Sequence, residues 1–145
     1  MTDIVIREMS DEDIDKVSII EEECFSMPWK PDDFRQMIKN DNMTYVVLTL
    51  DGEVIGGAGL RCILTDGEIT NVAITKKHRG KGYAKPMLEK LMELGRKLGC
   101  EAFTLEVRVS NEPAIRLYKS LGFREAGIRP NFYDKPKEDA LIMWA

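Results

Sequence analysis

The chain has 145 residues, a net charge of −4 and 43% hydrophobic residues, and its 25 acidic and 21 basic side chains are interspersed. That length predicts one domain over residues 1–145 with a sizeable core. The charge balance speaks against a nucleic-acid surface, and no apolar run reaches the about 18–20 residues of a membrane span. The amino-terminal stretch lacks a signal-peptide pattern, and Cys24, Cys62 and Cys100 are scattered. They form neither a disulfide framework nor a zinc site, so the reading is buried thiols in a reducing cytoplasm, with no membrane and no metal.

Ile4 and Ile6 alternate as a first strand. Ser10-Asp11-Glu12-Asp13 has the form of a capping box, and Ile14, Val17, Ile20, Cys24 and Phe25 make the apolar stripe of the helix it opens. Met27-Pro28-Trp29-Lys30 breaks that helix, and Pro31 starts a second one to about Asn40. Tyr45–Leu50 and Val54–Ile63 flank Asp51-Gly52 as a hairpin, and Ile69–Thr75 is the next strand. A helix from Tyr83 carries Met87, Leu88, Leu91, Met92 and Leu98 and stops at Gly99. Ala102–Val109 is a strand, Asn111–Leu121 a helix stopped by Gly122, and Ala126–Tyr133 and Asp139–Trp144 are closing strands. Hairpins first and helical crossovers later predict an α/β fold. Its mixed, mostly antiparallel sheet should have about six to seven strands, with helices on both faces.

The richest segment runs from Val72 to Ala84: an apolar strand, a turn holding Gly80 and Gly82, then a helix start. Glycines permit close backbone approach, and the first N–H groups of a helix are unpaired at its positive end, so this is a place for a phosphate. A nucleoside-triphosphate loop needs Ser or Thr after Gly80-Lys81, where Gly82 stands. A dinucleotide fingerprint needs a third glycine, where Lys85 stands. The pattern Arg/Gln-x-x-Gly-x-Gly/Ala is met by Arg79, Gly82 and Ala84. Taken alone, the same residues also suit a glycine turn with no ligand.

On the strand 102–109, Phe103, Leu105, Val107 and Val109 point one way, and Thr104, Glu106 and Arg108 the other. A carboxylate at Glu106 is costly to bury unpaired and easier to keep on a cleft. The plain alternatives are a solvated row or a Glu106–Arg108 surface pair. Tyr118 sits among apolar helix positions, as a core aromatic would, and Asn111 stands where a helix cap is needed.

The loop motif resembles the pyrophosphate loop of the GNAT N-acetyltransferases. The segment Asn111-x-x-Ala114-x-x-Leu117-Tyr118-x-x-x-Gly122-Phe123 resembles the second signature of that family. Glu106-Val107-Arg108, Pro28-Trp29, Arg129-Pro130-Asn131-Phe132-Tyr133 and Glu138-Asp139-Ala140 narrow the resemblance to the ribosomal-protein alanine N-acetyltransferases, and it covers nearly the whole chain. It implies a GNAT fold and acetyl-CoA as acetyl donor. The implied cofactor contacts come from Val72, Ala73 and Ile74, from the loop Arg79, Gly80, Lys81, Gly82, Tyr83, Ala84 and Lys85, and from Asn111 and Tyr118. A backbone N–H of Val72–Ile74 would polarise the acetyl carbonyl, provided the sheet splays or bulges there.

The resemblance further implies Glu106 as general base, directly or through water, and Tyr118 as the acid that protonates the departing thiolate. Pro28, Trp29, Glu106 and Tyr133 would hold the acceptor. That acceptor is implied to be a protein amino terminus, the alanine of small-subunit ribosomal protein eighteen. Two alternatives stand beside it: an acetyltransferase of small amines such as polyamines or amino sugars, and a non-catalytic acyl-CoA binder. Pro86 departs from the usual loop by removing one N–H near the phosphates.

Overall fold

A computed structural model describes residues 3–26 and 28–145. The strands are β1 (Ile4–Glu8), β2 (Met43–Leu50), β3 (Glu53–Ile63), β4 (Asp66–Ile74), β5 (Ala102–Arg108), β6 (Arg124–Tyr133) and β7 (Glu138–Trp144). The helices are α1 (Ile14–Cys24), α2 (Pro31–Ile38), α3 (Ala84–Lys97) and α4 (Glu112–Ser120). The strands form one sheet in the order β1-β2-β3-β4-β5-β7-β6. Only β4 and β5 pair in parallel; the other pairs are antiparallel. The expected order of strands and helices holds throughout. Boundaries move slightly: β4 starts at Asp66 instead of Ile69, and β6 at Arg124 instead of Ala126.

Local chemistry explains the elements. Ser10 N donates to Asp13 Oδ2 at 2.9 Å, and Arg7 clamps the same carboxylate at 2.7 Å, which fixes the turn into α1. Asp51 and Gly52 both take positive φ (50° and 86°), the twist that a two-residue hairpin requires. Pro31 occupies the first turn of α2, where its missing N–H costs nothing.

Helices cover both faces of the sheet, and β2 reads the alternation. Val46 and Leu48 join a core with Met87, Leu88 and Leu91 of α3, Leu105 and Val107 of β5, and Phe123. Tyr45 and Val47 join a second core with Ile14, Val17 and Ile20 of α1, Phe34 and Met37 of α2, and Ala73. Side chains such as Leu88, Leu91 and Phe34 are fully buried, each worth roughly 1.5–3 kcal/mol relative to exposure. Two of the scattered cysteines meet: Cys62 Sγ and Cys100 Sγ lie 2.7 Å apart as free thiols. Among the described residues no helix is long and apolar enough to cross a membrane.

Two irregularities open the middle of the sheet. Parallel pairing of β4 with β5 stops after Glu68↔Thr104, so from Ile69 onward the strands part. On its other side, β4 pairs Ile69 with Leu60 and Val72 with Ala58. Thr70 and Asn71 therefore both oppose the single residue Gly59, which is a β-bulge. Gly59 is needed there because a Cβ would stand 2.7 Å from Thr70 Oγ1.

Candidate active site

The parting strands border a cleft of about 730 Å³. Its walls come from β4 (Ile69–Val72), β5 (Leu105–Arg108), the α1–α2 connection (Phe25, Ser26, Trp29), the end of β6 with the β6–β7 connection (Phe132–Pro136), Asn111 and Tyr118. The alternation of β5 places Glu106 on the face of α1 and α2, and Leu105 and Val107 on the face of α3 and α4. Glu106 therefore looks into the cleft. Its Oε2 is buried without a hydrogen-bond partner, although Arg129 Nε approaches to 3.4 Å. Burial raises its pKa, Arg129 opposes the rise, and Glu68 adds to it. The alternative of a Glu106–Arg108 surface pair is not what forms. Arg108 instead meets Glu138 at 3.2 Å.

Tyr118 is buried on α4, edge-on to Phe123 at 6.0 Å, and reaches the cleft from the opposite face to Glu106. Burial pushes its phenol well above the ordinary value, with Tyr133 adding to the rise, so it carries its proton at neutral pH. Asn111 caps α4, its Oδ1 accepting from Ala114 N at 3.3 Å, and it also lines the cleft. The cap and the cleft wall are one residue.

The loop after β4 lies at the end of that strand, outside the cleft. Gly80 and Gly82 have φ of +76° and +82°, and a Cβ on either would meet nothing within 4 Å. The turn is thus a bare cradle of backbone N–H groups at the start of α3, ringed by the exposed Lys76, Lys77, Arg79, Lys81 and Lys85. Pro86 is the third residue of α3, where no helical partner for its N–H exists. The Arg79 guanidinium is engaged elsewhere, since Nε donates to Ile74 O at 2.9 Å and Nη2 to Cys24 Sγ at 3.1 Å. It ties the loop to β4 and α1, leaving its backbone to the cradle. Tyr83 and Ala84 pack against the larger core. Of Val72, Ala73 and Ile74, only Val72 lines the cleft; Ala73 and Ile74 point into the two cores and offer backbone alone.

At the other end, Trp29 lines the cleft and leans on Phe34 at 5.4 Å. Pro28 does not line it, and Met27 lies outside the described residues. Tyr133 lines it, under the Arg108 guanidinium at 4.5 Å. Burial raises the Tyr133 phenol to about 12. Ser26 Oγ donates to Asp134 O at 3.3 Å, so the two connections that border this end touch.

Several residues at the site were not singled out from the sequence. Glu21 lies within a run of three glutamates, yet its spacing from Val17, Ile20 and Cys24 is that of the buried stripe. It is 1% exposed. Asn71 Nδ2 donates to it at 2.8 Å. Burial pushes Glu21 up to about 7 against the donors of Asn71, the Trp29 backbone and Tyr45. Asn71 and Thr70 owe their placement to the bulge, which no local pattern announces. Cys24 is a poor nucleophile because burial raises its thiol pKa, and Cys100 is raised to about 12 by burial and by Cys62. Among the described residues no group of three His, Cys, Asp or Glu could hold a metal ion.

Residues 14–123 match the acetyltransferase (GNAT) family. The chain belongs to that family. As a GNAT acetyltransferase it is an enzyme of N-acetyl transfer, and its relatives narrow the group. A Bacillus subtilis (strain 168) protein, provisionally named a [ribosomal protein bS18]-alanine N-acetyltransferase, is 40% identical over 99% of this chain and 95% of its own length. The Escherichia coli (strain K12) protein named [ribosomal protein bS18]-alanine N-acetyltransferase is 35% identical over 86% of this chain and 84% of its own. The crystal structure of the ribosomal-protein-S18-alanine N-acetyltransferase from Escherichia coli superposes with a TM-score of 0.88 at 31% identity, covering 98% of this chain and 92% of that one. The GNAT acetyltransferase fold expected from the motifs is therefore the fold observed.

Proposed function

We propose that this enzyme takes acetyl from acetyl-CoA and places it on the amino-terminal alanine of a protein, small-subunit ribosomal protein eighteen (bS18). The observation that carries the reading is Glu106 Oε2: a buried carboxylate oxygen without a hydrogen-bond partner, on a cleft opened by the parting of β4 and β5. An unpaired acceptor there is costly unless a donor arrives with substrate.

The Arg79–Lys85 loop suits the pyrophosphate, because its positive-φ glycines leave open space over N–H groups at a helix start. The gap between the strands suits the pantetheine arm. The amine nitrogen attacks the thioester carbonyl carbon. The N–C bond forms, the C–S bond breaks, and its electron pair leaves on sulfur. The amine's proton goes to Glu106, directly or through one water, and Tyr118 gives its proton to the thiolate. Backbone N–H groups of β4 freed from β5 are the donors for the carbonyl oxygen as charge grows on it. The proposed transfer is direct, and the Cys24 thiol on the cleft wall is a poor nucleophile because burial raises its pKa.

The far end suits a peptide better than a polyamine. Glu68 is paired with Arg61 at 3.0 Å, Glu21 with Asn71, and Glu138 with Arg108 at 3.2 Å, so no free row of carboxylates awaits a polycation. Competition among an alanine-initiated hexapeptide, the same peptide with a blocked α-amine and an internal lysine, and spermidine tests the reading. The free α-amine should be acetylated preferentially. Preference for spermidine, or indifference to the block, would remove the acceptor assignment.

A further inference from the structure

Three buried polar atoms without a hydrogen-bond partner belong to residues of this one cleft: Thr70 Oγ1, Asn71 Oδ1 and Glu106 Oε2. Their arrangement follows from the sheet. The last β4–β5 pair is Glu68↔Thr104; Thr70 and Asn71 on β4 and Glu106 on β5 lie just beyond it, on the two strands that border the gap. The bulge opposite Gly59 turns Asn71 to the α1–α2 face, where it meets Glu21, and Glu106 faces the same side.

The Asn71 amide is oriented by its contact with Glu21. Glu21 is surrounded by donors: Asn71 Nδ2, the Trp29 N–H and the Tyr45 hydroxyl. Asn71 Nδ2 donates to Glu21 Oε1 at 2.8 Å, which turns the amide oxygen away from Glu21. Asn71 is 5% exposed, and this oxygen is without a partner. A buried amide oxygen held in that state lacks a donor that the protein does not supply.

We propose that Asn71 is an acceptor-recognition residue, locked by Glu21, whose Oδ1 takes one N–H of the primary amine that Glu106 deprotonates. The assignment rests on the proposed reading that an amino terminus enters this cleft. A neutral primary amine has two N–H groups and one lone pair. Acceptors on both strands of the gap engage both N–H groups and leave the lone pair to point at the thioester. A secondary amine has one N–H and forfeits one of the two contacts. The ligand class is thus a primary amine, and Glu21 is a positioning residue that acts through Asn71.

Steady-state kinetics on an alanine-initiated hexapeptide and on its N-methylalanine counterpart, with acetyl-CoA affinity measured separately, test this. Asn71→Ala should lower kcat/KM for the primary amine by about tenfold or more, as for loss of a hydrogen bond in a dry site. It should leave acetyl-CoA affinity within about twofold, the scatter of such a difference. On the N-methyl peptide, wild type and variant should differ much less, because the contact is already missing. Glu21→Gln, which lets the Asn71 amide turn over, should show the same selectivity for the primary amine in milder form, and serves if Asn71→Ala does not fold. An equal loss on both peptides would overturn the assignment, as would a loss confined to acetyl-CoA affinity, which would make a pantetheine amide the donor. No turnover of either peptide by the wild-type enzyme would overturn the acceptor reading and this assignment with it.

Discussion

Arg129 Nε stands 3.4 Å from Glu106 Oε2, close enough to feel its charge and too poorly aligned to hydrogen-bond it. In the proposed reaction this pair sets the working range of Glu106 as the base. Burial lifts the Glu106 pKa above the ordinary glutamate value, and the Arg129 cation holds it down. A general base works ionised, so activity rises with pH as Glu106 loses its proton. Arg129→Gln removes the restraint, and the acidic limb of the rate profile should move to higher pH. The amine's own titration is common to both enzymes, so the difference between their profiles reports Glu106. Superimposable profiles would show that Arg129 has no influence on the base.

Glu106→Gln should lower the rate at neutral pH by roughly 10²-fold or more, as for removal of a positioned base, with acetyl-CoA affinity nearly intact. Tyr118→Phe should slow turnover less, because a coenzyme A thiolate is a good leaving group. Pre-steady-state acetyl transfer separates the two. Near-normal rates in both variants would mean that solvent handles the protons.

Gly82 has φ +82°, a conformation that β-branched residues resist. Gly82→Val should therefore distort the cradle as well as crowd it, and weaken coenzyme A binding by at least an order of magnitude, while Lys81→Ala, exposed beside it, should change little. Titration of both variants with coenzyme A checks the pair. Unchanged affinity in Gly82→Val would take the pyrophosphate away from this loop.

The sequence revealed most of this frame and missed part of the site, for physical reasons. Helix stripes, the Asp51-Gly52 turn and the alternation of Phe103, Leu105 and Val107 are local patterns, and each formed as read except at two helix ends, where Phe25 falls outside α1 and the exposed Leu98 outside α3. Glu106, Tyr118 and Asn111 were visible because they lie in contiguous motifs. Asn71 was not, because its role depends on a bulge against Gly59 and on a carboxylate 50 residues away in the chain. Cys62 and Cys100 meet across 38 residues in the same way. Spacing alone cannot report a contact that only the closed sheet creates.

Glu21 also links the site to stability. Its folded pKa, about 7, lies above the 4.5 of an ordinary glutamate, so the folded protein binds its proton more tightly than the unfolded chain does. The stabilisation is complete below about pH 4.5 and is lost as pH rises through about 7, a change on the order of 3 kcal/mol. Glu21→Gln removes the titration. Its melting temperature should fall less than that of wild type between pH 5 and 8. Parallel curves would show that Glu21 titrates alike in both states.

Arg108 lines the cleft at the end proposed for the acceptor. Its Nη1 donates to Pro136 O at 2.8 Å and to Glu138 Oε1 at 3.2 Å, and Nη2 donates to Asp134 O at 3.0 Å. Its plane lies over Tyr133 at 4.5 Å. Only a guanidinium makes this set, because the contacts need a flat fork with several donors. Arg108→Lys keeps the charge and loses the fork. The β6–β7 connection should loosen, and backbone amides of residues 134–138 should exchange faster with solvent. Tyr133 would no longer be fixed beside the acceptor, so the peptide KM should rise about tenfold, the effect of losing one or two charge-assisted hydrogen bonds. None of these Arg108 hydrogen bonds reaches the Arg79–Lys85 loop proposed for the pyrophosphate, so acetyl-CoA affinity should not move. A variant with unchanged exchange and raised KM would place Arg108 in direct contact with the peptide. A variant unchanged in both would make the Arg108 fork irrelevant to acceptor binding.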